Sequence, residues 1–316
     1  MNRRSAMRTL VIASAVSFFP LLMGIIPKLP QDGFTIRSDV RLVLLDVAVK
    51  NRQGKFVYGL PKQAFHVTED SQAQPITVFA NQDVPVTVGI LVDESQSMAP
   101  KRNEVLNAAQ TFIEKSNPKD EIFVVNFNDK VTLGLRAPTL FSDNIEELRS
   151  ALYRGIPQGK TAVNDAIVAG LTELESGTRD KKALVVVSDG GDNASTRKRE
   201  DMLDMVSKSL ATIYAIGIYD AEDPDRDPGL LKELAKVSGG EAFFPANPSE
   251  MSAACSEIAE EIRSRYTIGY APQPDRASLR RIHIRVDAPN GVKLTAQTRT
   301  SYRYEKVTNQ NGQNGK

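Results

Sequence analysis

Cysteine is nearly missing from this chain of 316 residues. Cys255 stands alone, so no internal disulfide and no cysteine-rich zinc or iron–sulfur centre can be built. Histidine is almost as scarce: His66 and His283 are the whole supply, which leaves few parts for a zinc site or for general acid–base chemistry. An excess of charge is lacking too. Forty basic residues against 39 acidic ones leave +1, so no global field favours nucleic acid or an acidic surface. The remainder is 41% apolar and 25% charged, enough to bury a core and too polar for a multi-span membrane protein. At ~100–200 residues per domain, the length allows two domains, or one large one with elaborations. These shortages lean towards binding rather than catalysis.

The first residues set the expected compartment. Met1 to Arg8 carries Arg3, Arg4 and Arg8 with no acid, and Thr9 to Ile26 is free of charge. A basic start followed by an apolar run is the layout of a secretory signal. Its 18 residues are long for a cleaved signal and just long enough to span a bilayer. Pro20 kinks the run, and no clear small-x-small cleavage site follows before Pro30. A cleaved signal and an uncleaved membrane anchor both stay open. Either one, with the arginines held on the cytoplasmic side, sends everything after Pro30 to the periplasm, the envelope or the exterior. A lone thiol suits that address.

Two β-rich flanks enclose a middle with a different grammar. From Phe34 to Phe79 the period is two: Val43, Leu45, Val47 and Val49 alternate with Leu44, Asp46, Ala48 and Lys50, and Asn51-Arg52-Gln53-Gly54 reads as a hairpin turn. Residues 65–70 and 76–79 are further short strands. At the far end, Tyr266 to Tyr270, Ile282 to Asp287 and Val292 to Thr298 are short β runs, with Pro289-Asn290-Gly291 as a turn. Between the flanks, residues 87–92, 122–127, 183–188 and 213–219 are nearly continuous apolar runs, the mark of strands buried on both faces. They alternate with amphipathic helices predicted over 102–115, 145–153, 163–175, 199–210, 230–237 and 249–263. The expected fold class is therefore α/β: a doubly wound, mostly parallel sheet inserted in a small β-sandwich-like domain formed by both flanks. The corresponding segments are a leader (1–33), first flank (34–85), α/β domain (86–265), second flank (266–306) and a polar, glycine-rich tail (307–316) expected to be disordered.

Ligands of such sheets bind at the carboxyl ends of the strands. Asp93-Glu94-Ser95-Gln96-Ser97 follows the first buried run, Ser188-Asp189-Gly190-Gly191-Asp192 ends the third, and Gly159-Lys160-Thr161 precedes the helix at Val163. All three should share one rim, offering two carboxylates and three hydroxyls. Oxygen donors suit a hard cation such as Mg²⁺, whereas a soft metal would want sulfur or imidazole. Helix capping explains each Ser or Asp singly, but not the five together.

Asp93-x-Ser95-x-Ser97, Thr161 and Asp189, in that order and at those ends, resemble the metal-ion-dependent adhesion site of von Willebrand factor type A domains. The resemblance covers about Val86 to Arg265. The flanks, through Val47-x-Val49, Gly59-Leu60, Phe65-x-Val67-x-Glu69-Asp70 and Tyr266-x-Ile268-x-Tyr270, are similar to bacterial secreted proteins called VWFA-related. The family implies Mg²⁺ or Mn²⁺ held by Asp93, Ser95, Ser97, Thr161 and Asp189, with a protein partner's acidic residue completing the shell. It implies cation-dependent protein binding or adhesion, with no catalytic residue and no nucleotide. Many members have Gly-Gly-Thr where this chain has Gly159-Lys160-Thr161, which places a positive charge near the ion or in solvent. Two other readings stand beside this one: an envelope assembly component whose rim is dispensable, and a metal-dependent hydrolase.

Several features read more plainly. Gly155 to Thr161 mimics a phosphate loop but has three residues between its glycines, where the motif needs four. Asp93-Glu94-Ser95 misplaces the second acid for an aspartyl phosphatase. His66 and His283 are expected as surface or half-buried strand residues, and Cys255 as a small core residue. The acidic stretch Asp220 to Asp227 fits no EF-hand and reads as a solvated loop. Arg197-Lys198-Arg199 reads as a solvated helix start near the rim.

Overall fold

The computed structural model describes residues 42–218, 225–273, 278–288 and 291–304. The leader, the first residues of the first flank, Pro289-Asn290, the tail and most of the acidic loop lie outside the described residues. In chain order the first flank gives β1 (Val43–Lys50), β2 (Phe65–Glu69), β3 (Gln72–Gln74) and β4 (Val78–Ala80). The middle gives β5 (Val86–Asp93), α1 (Arg102–Lys115), β6 (Glu121–Phe127), β7 (Val131–Leu133), α2 (Ile145–Leu152) and α3 (Val163–Glu175). It continues with β8 (Lys181–Ser188), α4 (Arg199–Lys208), β9 (Thr212–Gly217), α5 (Pro228–Ser238), β10 (Ala242–Phe243) and α6 (Pro248–Ser264). The second flank adds β11 (Tyr266–Tyr270), β12 (Leu279–Val286), β13 (Thr295–Gln297) and β14 (Ser301–Arg303).

The apolar runs of the middle pair as one sheet in the order β10-β9-β8-β5-β6-β7, parallel except for β7, which runs antiparallel to β6. Every residue of β5 is buried, as a central strand covered on both faces requires. Val88, Ile90 and Val92 point into a core shared with α1, α2 and α6, while Leu91 joins Ile167, Leu171 and Leu230 of α3 and α5 on the opposite face. Gly89 has no room for a side chain: a Cβ there would lie 2.4 Å from the Phe123 ring and 2.6 Å from Leu184. The fold is thus the expected α/β sheet with helices on both faces.

Both flanks contribute to both smaller sheets. One runs β13-β1-β11-β4 and the other β14-β12-β2-β3, each antiparallel throughout. In the first, Val47 faces Tyr266 and Val43 faces Tyr270; in the second, Phe65 faces Val286. Their inner faces form a third core from Leu45, Val47, Phe65, Val67, Tyr266, Ile268, Ile282 and Ile284. The hairpin turn at Asn51 forms because its side-chain Oδ1 accepts from the Gln53 and Lys55 amides, at 2.9 and 3.0 Å, with Gly54 at positive φ. Strand β12 alternates strictly, so Arg280 is turned inward. There its Nη1 meets Glu69 at 2.9 Å, and the hydroxyls of Tyr270 and Tyr302 donate to the same carboxylate at 2.8 and 2.6 Å. His66 and His283 sit exposed on strands, and Cys255 is buried in α6.

Candidate functional site

Asp93 is the last residue of β5, and Asp189 follows the last residue of β8, its parallel neighbour. Adjacent strands ending at the same level place the two loops side by side. After Ser95 the chain turns into a 3₁₀ helix over Gln96–Lys101, which brings Ser97 back over the strand ends. Ser95 and Ser97 hydroxyls lie 3.0 Å apart, and Ser97 Oγ donates to Asp189 Oδ2 at 2.7 Å. A hydroxyl has one proton, so Ser95 is the donor in the first of these contacts. Asp93 Oδ1 accepts from the Ser95 amide at 2.8 Å, and its Oδ2 from Ser188 Oγ at 2.6 Å. Four of the five predicted residues therefore form one hydrogen-bonded chain.

Thr161 is held beside them by backbone. Its amide donates to Asn193 Oδ1 at 2.9 Å, and its carbonyl accepts from the amides of Asn193 and Ala194. Two residues upstream, Gly159 accepts from the Gln96 amide at 3.2 Å, which ties this loop to the Asp93 loop. Among the described residues the Thr161 hydroxyl has no hydrogen bond to the other four. Glycines let the Asp189 loop close: Gly190 has a φ of 84°, and a Cβ there would meet the Asp227 carbonyl at 2.3 Å. Asp227 in turn donates its amide to the Asp189 carbonyl at 3.2 Å.

Asp93, Ser95, Thr161 and Asp189 are buried, while Ser97 is exposed at the mouth. Burial pushes the Asp93 carboxyl up to about 7, with Asp189 adding to the rise against the hydrogen bonds from Ser188 and Ser95. Among the described residues no group of three or more His, Cys, Asp or Glu side chains could hold a metal. A cation at this rim would therefore depend on hydroxyl donors as well as carboxylates.

Three features around the site were not singled out from the sequence. Ser188 is one, although a hydroxyl directly before Asp189 at a buried strand end is a usable signal. Asn193 is another. The third is the pair of Glu94 and Arg102: Glu94 turns away from the rim, and its Oε2 accepts from Arg102 Nε at 3.0 Å. Near the rim, Arg199 is spent on Asp227 and Glu233 at 2.8 and 2.7 Å. Lys160 is exposed, and its amide donates to Asp129 at 3.3 Å.

Residues 87–261 match the family model described as the von Willebrand factor type A domain. Among solved structures the chain is similar to a von Willebrand factor type A protein from Catenulispora acidiphila, at 15% identity over 84% of this chain and 75% of that one, with a TM-score of 0.50. It is similar to the vWF domain of the type V pili tip protein Mfa5 from Porphyromonas gingivalis, at 15% identity over 57% and 95% of the two chains, TM-score 0.49. It is also similar to a D319A mutant of the PilB minor pilin from Streptococcus sanguinis, at 13% identity over 57% and 62%, TM-score 0.47. At these identities the likeness is one of fold.

Proposed function

Because the chain belongs to the von Willebrand factor type A domain family, whose members are protein-interaction modules, we propose that it is an exported protein that binds a protein partner through a divalent cation at the β5–β8 rim. The observation that carries this reading is the linked set Asp93, Ser95, Ser97 and Asp189, two carboxylates and two hydroxyls joined in one hydrogen-bonded chain. An all-oxygen donor set of this kind fits Mg²⁺ or Mn²⁺. Asp93, Ser95, Ser97, Thr161 and Asp189 would hold the ion. With hydroxyls supplying part of the shell the ion stays electrophilic, and an acidic residue of the partner can complete it. The leader supports export to the periplasm, envelope or exterior, with anchoring if it is uncleaved. We read the rim as a binding site rather than a catalytic one, in keeping with the family's interaction modules.

The test is calorimetric titration of Mg²⁺ and Mn²⁺ into the wild type and Asp93→Ala, with circular dichroism to confirm the fold. Removing this carboxylate should weaken metal binding by at least about a hundredfold, since outer-shell changes alone cost ~10–100-fold. The fold should survive, because one of two neighbouring like charges is gone. Equal affinities would mean that the rim residues only cap the loops. Thr161→Ala should weaken capture of a partner from envelope extracts more than it weakens metal binding.

A further inference from the structure

Strand β12 presents Leu279, Arg281, His283 and Arg285 on one face, because its alternation buries Arg280, Ile282, Ile284 and Val286 on the other. The cross-strand register extends that outer face. Arg303 and Ser301 of β14 stand opposite Leu279 and Arg281, and His66 and Thr68 of β2 stand opposite Arg285 and His283. Ala73 of β3 lies beside Thr68. The outer positions of this sheet thus hold three arginines and both histidines of the chain, with no carboxylate among them. The acids lie at its margins: Asp70, just past β2, stands opposite Arg281 and accepts from its amide at 2.9 Å, Asp287 meets His66 at 2.9 Å and Arg285 at 3.3 Å, and Asp204 of α4 meets Arg303 at 3.3 Å. The arginines thus stand clustered on one face, each with one aspartate at its edge.

At the Leu279 end the basic face runs into an apolar groove of about 380 Å³, lined by Leu42, Leu44, Leu210, Pro272 and Arg303 among others. Leu42, Leu44, Leu210 and Leu279 are 40–59% exposed. Leu210 lies between α4 and the first residue of β9, at the amino ends of the central strands and opposite the rim. In sequence, Leu42 stands 16 residues after the apolar run that ends at Ile26, a tether of at most about 55 Å.

We propose that this face is a docking surface for an anionic lipid bilayer: leucines enter the headgroup boundary, and arginines pair with phosphates beside them. Exposed leucines bordering a basic sheet are the composition an anionic interface attracts. Docking this way leaves the Asp93 rim pointing away from the membrane, open to a partner. The inference is separate from metal binding at that rim.

The full chain serves for the test, with a fluorophore on Thr68→Cys (basic face) or on Ile156→Cys (exposed loop near the rim), since the native Cys255 is buried. Vesicles carry a spin-labelled quencher lipid, with or without phosphatidylglycerol, and flotation reports total binding. The Thr68 probe should be quenched on anionic vesicles and released by 1 M salt, while the Ile156 probe stays bright. Arg281→Glu/Arg285→Glu, checked by circular dichroism, should reduce Thr68 quenching at least about 25-fold in lipid concentration, near fivefold for each arginine lost. Flotation without Thr68 quenching would mean that the leader alone holds the protein, and would overturn the proposal. Quenching that is equal on neutral vesicles, or unaffected by the glutamates, would overturn it as well.

Discussion

Glu94 shows how neighbouring residues divide the work within one loop. Asp93 and Ser95 face the rim, whereas Glu94 is turned the other way and pairs with Arg102, whose guanidinium also donates to the carbonyls of Tyr153 and Gly155. Burial raises the Glu94 carboxyl, and Arg102 holds it back. Glu94→Ala should leave Arg102, itself 21% exposed, without a carboxylate. It should cost about 2 kcal/mol of unfolding free energy, less than the 3–5 typical of fully buried pairs. Mg²⁺ affinity should stay at the wild-type value, so denaturant unfolding and metal titration together separate the two roles. A large loss of metal affinity would place Glu94 in the rim after all. The sequence made the other members legible because their spacing and strand ends repeat a family pattern. Ser188, Asn193 and the Glu94–Arg102 pair escaped it because contacts across 8 to 95 positions leave no local period.

At the scale of elements, helices α1 and α3 were legible to the residue, since each carries an apolar stripe on a 3.6 period between polar ends. The short strands β7, β10 and β14 were not, being two or three residues long and defined by what they pair with. The turn between α1 and β6 illustrates a tertiary link of the same kind. Asp120 accepts from the amides of Val86 and Asn117, at 2.8 and 3.0 Å, and so fixes where β5 begins. Burial pushes its carboxyl up to about 6, against ~3.9 in an unfolded chain. The folded state therefore holds this proton more tightly, and stability falls as pH rises from about 4 to about 6 and then levels off. Asp120→Asn should lack that fall. The stability difference, wild type minus variant, should drop by about 2 kcal/mol between pH 4 and 7 in urea unfolding; a constant difference would mean that Asp120 does not titrate there.

For the whole molecule, the sequence shows that two β flanks exist but not how they interleave, because strand order depends on flank-to-flank partners 187 to 249 residues apart. The structure makes the dependence mutual. Strand β11 lies between β1 and β4, and β12 lies between β14 and β2. The flanks are tied to the α/β domain by charge: Arg265 bonds Tyr214, Glu261 and the carbonyls of Asp46 and Gly239, and Lys50 reaches Glu241 and Glu257 at 2.6 and 2.9 Å. Deleting residues 266–316 removes the central partners of both small sheets and leaves β2 with β3 alone, a two-stranded remnant of marginal stability. The first flank should then open, and trypsin should cut at Lys50, whose side chain is only 14% exposed in the full chain, faster than it does there. The α/β core over 86–264 should persist as a protected fragment, because its strands pair only with one another. Continued protection of residues 43–80 in the truncated chain would show that the first flank holds its fold without the second, and that the interleaved sheets are not what secures it.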